Sequence, residues 1–334
     1  MTEQYFFGVD IGGTKIATSA GRQAAGVIEV MDRKAFPTIQ GDPTANIARI
    51  VEYLQQLKTK HGCPAGIGIS CGGPLDIDAG EILSPPNLPG WDRVPIVRIL
   101  QEQLEAPVYM ENDANACALA EFHYGAGKGT TNMVFLTFGT GMGAGIVLGG
   151  KLYRGSTGGA GEVGHIRLAE DGPVGYGKRG SFEGFCSGSG LAQLGRMIIE
   201  RHIAQGDASA WALENAGNTG LTAKRIASAA VHGDPAALEI MEVCGAYLGR
   251  GLSVLVDILN PDVIVIGSIF ERSGDLLIPS MEKALREEAL ECNLRACRVM
   301  PSRLRDALGD YAALSIASEW SVNDKLEMGE KRYG

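Results

Sequence analysis

Apolar positions along the chain follow two rhythms. Short apolar runs predict strands at Tyr5–Val9, Gly66–Ser70, Val108–Glu111, Met133–Thr137, Gly145–Leu148 and Val263–Ile266. Longer stretches of helical period predict helices over Pro43–Lys58, Ala114–Tyr124, Gly188–Gln205, Pro235–Leu259, Ser273–Ala289 and Tyr311–Glu319. Their alternation makes the chain α/β.

Two segments share one design, an apolar strand, a Gly/Thr-rich turn and a second strand: Phe6 to Ala17 around Asp10-Ile11-Gly12-Gly13-Thr14-Lys15, and Val134 to Gly145 around Gly139-Thr140-Gly141. Glycine permits the tight turn and lets backbone amides approach a ligand. One such hairpin reads equally as a turn with no ligand. Two, about a domain length apart, point to a duplicated fold with a cleft between halves. No low-complexity linker separates those halves. The boundary is expected near Phe122, with the last helix returning to the first domain (residues 1–122 with 304–334, and 123–303).

The length of 334 residues accommodates two cores. A net charge of −9 without a long Lys/Arg run argues against a nucleic-acid partner and points to a small substrate. The seven cysteines lack zinc-finger or redox spacing, so reduced thiols are expected. The N-terminal residues carry no signal-peptide pattern, and no stretch reaches membrane-span length. A cytoplasmic protein without membrane partners is the expectation.

Phosphoryl transfer needs cradled phosphates, a magnesium ion and an oriented nucleophile. The hairpins supply backbone N–H groups, with hydroxyls from Thr14, Thr137 and Thr140. Asp10, at the end of the first strand, suits magnesium held through water, or merely caps the turn. Asn112 and Asp113 stand at a strand-to-helix junction, where such residues are often only N-caps. Beside two phosphate hairpins, the weight moves to Asp113 as a general base and Asn112 as a sugar contact. Glu162 and His165, three apart after Gly158-Gly159-Ala160, are suited to sugar hydroxyls. On spacing alone they read better as a surface Glu and a structurally bonded His.

Taken together these residues resemble the ROK family. The matching pieces are Asp10 to Lys15, Gly66 to Asp76, Pro86 to Trp91, Glu111 to Asn115, Gly139 to Gly143, Glu162 to His165, Asn260 to Gly267 and Ala307 to Leu314, in family order. The resemblance implies an actin-like (ribonuclease H-like, duplicated) two-domain sugar kinase fold with a central cleft. It implies an ATP- and Mg²⁺-dependent, glucokinase-like kinase acting on a hexose or hexose derivative, and a homodimer. Asp113 would be the catalytic base. Gly73, Asn87, Asn112, Glu162, His165 and Glu183 would line the sugar site. Asp10, Gly12, Gly13, Thr14, Lys15, Thr140 and Gly141 would meet the phosphates, and Gly267 the adenosine. The family's sugars, N-acetylglucosamine and N-acetylmannosamine among them, differ where one contact discriminates strongly.

Two departures stand out. Many members hold zinc with a His and three cysteines; here Val174, Tyr176 and Ser181 take the cysteine positions, so no structural zinc is expected and packing must hold the loop. Where the family often has three glycines, this chain has Gly267-Ser268-Ile269. The competing classes are a ROK repressor, whose winged helix-turn-helix domain is not expected here because Asp10 is reached almost at once, and a sugar sensor that has lost catalysis.

Overall fold

The computed structural model describes residues 3–333, with side chains through residue 321. The chain divides into two compact units, Met1–Gly129 with Asp306–Gly334, and Thr130–Arg305.

In the first unit β1 (Gln4–Ile11), β2 (Lys15–Ala24) and β3 (Val27–Pro37) form an antiparallel meander, and β4 (Gly66–Cys71) continues the sheet parallel to β1. A small ribbon, β5 (Leu75–Asp76) with β6 (Glu81–Ile82), precedes β7 (Val108–Asn112), giving the order β3-β2-β1-β4-β7. Alternation along β1 sorts its side chains. Phe7, Val9 and Ile11 enter a core with Ile50, Leu54 and Leu57 of α1 (Pro43–His61) and with Leu100 and Leu104 of α2 (Ile96–Leu104). Asp42 starts α1 by accepting the Ala45 N–H at 2.9 Å, with Pro43 behind it.

Phe6 lies on the opposite face, clustered with Leu314 and Ala317 of the helix Leu308–Tyr333. That helix approaches the strands closely because glycines face it. A Cβ on Gly68 would stand 2.0 Å from the Ala313 carbonyl oxygen, and one on Gly8 2.9 Å from the Ala313 Cβ. α3 (Asp113–Tyr124) packs beside it, with the Tyr124 and Tyr311 rings tilted against each other at a centroid distance of 5.5 Å.

The second unit repeats this plan. β8 (Met133–Phe138), β9 (Met142–Leu148) and β10 (Lys151–Leu152) form the meander. After a ribbon of β11 (Val174–Gly175) and β12 (Lys178–Arg179), β13 (Val263–Ile266) and β14 (Arg298–Pro301) add parallel strands. The order is β10-β9-β8-β13-β14, the same succession of senses as in the first sheet. Between β12 and β13 run α4 (Phe182–Phe185), α5 (Gly188–Gln205), α6 (Ala210–Glu214), α7 (Ala223–Val231) and α8 (Pro235–Leu259); α9 (Ile269–Glu288) and α10 (Glu291–Ala296) follow. α8 is the spine of this core, burying Ile240, Met241, Leu248 and Leu252. Cβ atoms on Gly245 and Gly249 would stand 2.5 Å from the Leu277 carbonyl oxygen and 2.2 Å from that of Met281, so these glycines let α9 lie close.

Candidate active site

The first hairpin turns its carbonyls inward. Gly12 N–H donates to Lys15 O at 3.0 Å, Thr38 Oγ1 donates to Gly12 O at 2.7 Å, Thr38 N–H donates to Thr14 O at 3.1 Å, and Gln40 Nε2 donates to Gly13 O. The N–H groups of Gly13 and Thr14 have no partner among the described residues. A turn with tied carbonyls and free amides is a cradle for anionic oxygens. Gly13 has no room for a side chain, since a Cβ there would stand 2.5 Å from Asn87 O.

Asp10 projects beside this hairpin, near the end of β1. Burial raises its pKa from 3.8 to about 6; Asp113 and Asp310 add to the rise, while Lys15 and Arg33 oppose it. Asp310 is itself buried, and its Oδ2 accepts from Arg33 Nε at 2.6 Å. Three carboxylates against two cationic side chains leave an excess of negative charge, although among the described residues no group of three or more His, Cys, Asp or Glu is gathered closely enough to hold an ion directly.

The β7–α3 junction sets the other half of this group. Asn112 caps α3, its Oδ1 accepting Ala114 N–H at 3.0 Å, and Glu111 beneath accepts the Asn112 N–H at 2.9 Å and Asn115 Nδ2 at 3.0 Å. Asp113 Oδ1 takes the same Ala114 N–H at 2.8 Å. Protein crowding around the Asp113 carboxyl desolvates it and raises its pKa, although the residue keeps access to solvent; hydrogen bonds from the Ala114 and Asp113 N–H groups pull the other way. Its Oδ2 faces Gly72, where a Cβ would stand 3.6 Å away, with Asn87 Nδ2 at 3.8 Å from that same point. A Cβ built on Gly73 would likewise stand 3.6 Å from Asn112 Nδ2. The first unit thus gathers Asp10, Gly12, Gly13, Thr14, Lys15, Gly73, Asn87, Asn112 and Asp113.

In the second unit the hairpin Gly139–Gly141 is pinned by the start of α5. Gly188 N–H donates to Gly139 O at 2.7 Å, and Ser189 Oγ donates to Thr140 O at 3.2 Å. Thr137 Oγ1 accepts Gly143 N–H at 2.9 Å, so that hydroxyl serves the hairpin itself. Glu183, at the start of α4, accepts the Met142 N–H on Oε2 at 3.0 Å, which sequence reasoning did not foresee. A Cβ on Gly141 would stand 3.0 Å from that oxygen, and one on Gly164, between Glu162 and His165, 3.2 Å from the Glu183 Cβ. Thr140, Gly141, Glu162, His165 and Glu183 are therefore neighbours. Gly267, just past β13, brings Ser268 to this turn: a Cβ on Gly139 would lie 3.7 Å from Ser268 Oγ. Ser268 takes the left-handed region (φ 57°) where glycine would be at ease, held by its N–H on Glu271 Oε1 at 2.8 Å.

The segment after His165 is closed by hydrogen bonds. Gln193 clamps Val174 from α5, accepting its N–H at 3.1 Å and donating Nε2 to its carbonyl at 2.8 Å. Lys178 Nζ donates to His165 O and Arg167 Nη1 to Arg179 O, both at 2.8 Å. Tyr176, 83% exposed, sets its ring edge-on to that of His165, with centroids 6.2 Å apart. The buried Cys186 thiol instead donates to Cys244 O on α8 at 3.5 Å, and burial pushes its pKa well up.

The ROK family sequence profile matches residues 6–319. The chain belongs to the ROK family. It is 35% identical over 303 residues to a glucokinase of Halalkalibacterium halodurans, covering 87% of this chain and 88% of that protein. A ROK hexokinase of Thermus thermophilus superposes with a TM-score of 0.78 at 30% identity, over 96% of this chain and 99% of the other. A ROK family glucokinase of Streptomyces griseus, in complex with glucose and AMPPNP, gives 0.69 at 29% identity, over 94% and 99%. The repeated sheets accordingly form the actin-like fold of ROK sugar kinases. Among the described residues no helix is long and apolar enough to cross a membrane.

Proposed function

We propose that this ROK protein is a sugar kinase that moves the terminal phosphoryl group of ATP to a hexose hydroxyl, with magnesium and with Asp113 as general base. The observation that carries the reading is the state of Asp113. One carboxylate oxygen is fixed by the Ala114 N–H, while the other faces the open floor at Gly72. A raised pKa makes the carboxylate a stronger base than a free aspartate once it is ionised.

Asp113 accepts the proton of the attacking hydroxyl, and Asn112, Asn87 and Gly73 position that sugar. Glu162, His165 and the unbonded oxygen of Glu183 read further ring hydroxyls. The amides of Gly13 and Thr14, with Lys15, receive phosphate oxygens, as do Thr140 and Gly141; Gly267 adjoins the adenosine. Asp10 would hold magnesium through water, and the charge excess around it fits that ion. Bound magnesium neutralises charge on the phosphates. Glucose is the first sugar to test, given the glucokinases among the relatives. A cytoplasmic homodimer completes the proposal.

The test is an ADP-release assay with Mg·ATP against a panel of hexoses and N-acetylhexosamines, run beside Asp113→Asn. Turnover on one sugar, with kcat in the variant lowered ~10²–10⁴-fold, is the expected result. Sugar binding without turnover across the panel refutes the kinase and leaves a sensor.

A further inference from the structure

The start of the C-terminal helix lies against Asp10 in a way that the hairpin motifs do not account for. A Cβ built on Gly309 would stand 2.6 Å from Asp10 Oδ2, 3.3 Å from its Cγ and 3.9 Å from its Cβ. Only the carboxylate would be overlapped; the aspartate's own Cβ is at ordinary contact distance. The helix is not free to retreat. The next residue, Asp310, is buried and tied to Arg33 on β3 at 2.6 Å. Further along, Ala313 and Ala317 are seated on Gly68, where even one methyl group has no room. With sheet and helix both fixed, a side chain at position 309 must displace the movable group, which is the Asp10 carboxylate.

We propose that Gly309 is a positioning residue: its bare backbone holds the Asp10 carboxylate in the orientation that receives magnesium-bound phosphate. The inference rests on the role given above to Asp10. It makes the helix Leu308–Tyr333 part of the nucleotide machinery, although it lies far along the chain from the hairpin it serves.

The experiment measures calorimetric binding of ADP to the full-length protein, with Mg²⁺ and with EDTA, for wild type, Gly309→Ala, Asp10→Ala and the double variant. Gly309→Ala is expected to weaken Mg·ADP about tenfold or more while metal-free ADP stays within about twofold. In the Asp10→Ala background it is expected to change neither, because the overlapping atoms are gone. Thermal melts establish that each variant is folded. Equal loss with and without metal, no loss at all, or a loss that persists without the Asp10 carboxylate overturns the inference. Sugar-dependent ADP release by the wild type is scored separately. Turnover with a silent Gly309→Ala sinks only the positioning role. A metal-dependent Gly309 effect in a protein that phosphorylates no sugar sinks only the kinase assignment.

Discussion

Replacing Asp10 by asparagine should stabilise the metal-free protein, and do so increasingly as pH rises. The native fold raises this carboxyl from 3.8 to about 6, so the folded state holds its proton more tightly than the unfolded chain does. Stability from this group is therefore fully present below pH 3.8 and is lost as pH rises through about 6. A shift of that size corresponds to about 3 kcal/mol at about 1.4 kcal/mol per pK unit. Partial exposure of Asp10 and solvent screening reduce it to about 1–2 kcal/mol. Asparagine keeps the shape without the charge, so the variant should melt ~2–4 °C above wild type near pH 8. The gap should shrink toward pH 5 and close near pH 4. Thermal denaturation followed by circular dichroism in EDTA-containing buffers, at pH steps across this window, measures it directly. A pH-independent gap, or a wild type that is the more stable partner near pH 8, refutes the charge argument. Phosphoryl transfer should meanwhile be lost, which would make Asp10 a site where stability is given up for activity.

Other consequences follow from single contacts. Gln193→Ala removes both hydrogen bonds to Val174 and should cost ~1–2 kcal/mol while speeding limited proteolysis between Gly172 and Gly180; unchanged cleavage would mean the clamp is idle. Gly68→Ala drives a methyl group against the Ala313 carbonyl and should cost ~1–3 kcal/mol in denaturant unfolding, so an unaltered midpoint would contradict the close seating of the helix. Tyr176 and Gly177 both take positive φ, 45° and 74°, so Tyr176→Asn should supply the pair such turns favour. It is expected to raise stability by ~0.5–1 kcal/mol, and a lower melting temperature would count against the strain.

Elements with a strong period were legible in sequence. Val263–Ile266 and Pro235–Leu259 stand where the apolar pattern places them, the strand because all its residues are buried and the helix because its apolar residues recur along one long buried face. Strand β3 was not, since it alternates toward solvent with Glu29, Asp32, Arg33 and Lys34 among its residues. Helix α2 spaces Ile96, Leu100 and Leu104 over too few turns to stand out. α9 begins at Ile269, ahead of the expected Ser273, because the Glu271 side chain caps it and the helix then breaks at Ser273 (φ −132°). The hairpins and the Asn112-Asp113 junction could be read locally, since each is built within a few residues. The bond from Met142 to Glu183 and the contact of Gly309 with Asp10 could not. They join distant segments, and no local pattern encodes which oxygen a neighbour will claim.

The helix Leu308–Tyr333 has a consequence for the order in which the protein assembles as it is made. Thr130–Arg305 is an uninterrupted stretch and can condense as soon as it leaves the ribosome. The sheet that begins at Gln4 must wait, because the helix that covers Gly8 and Gly68 is translated only after the whole second unit. Until then one face of β1 and β4, with Phe6 and Ile28, stays uncovered. Newly synthesised chains should therefore depend most on chaperones through their earliest residues, and truncation near residue 306 should leave the second unit folded while the first remains open.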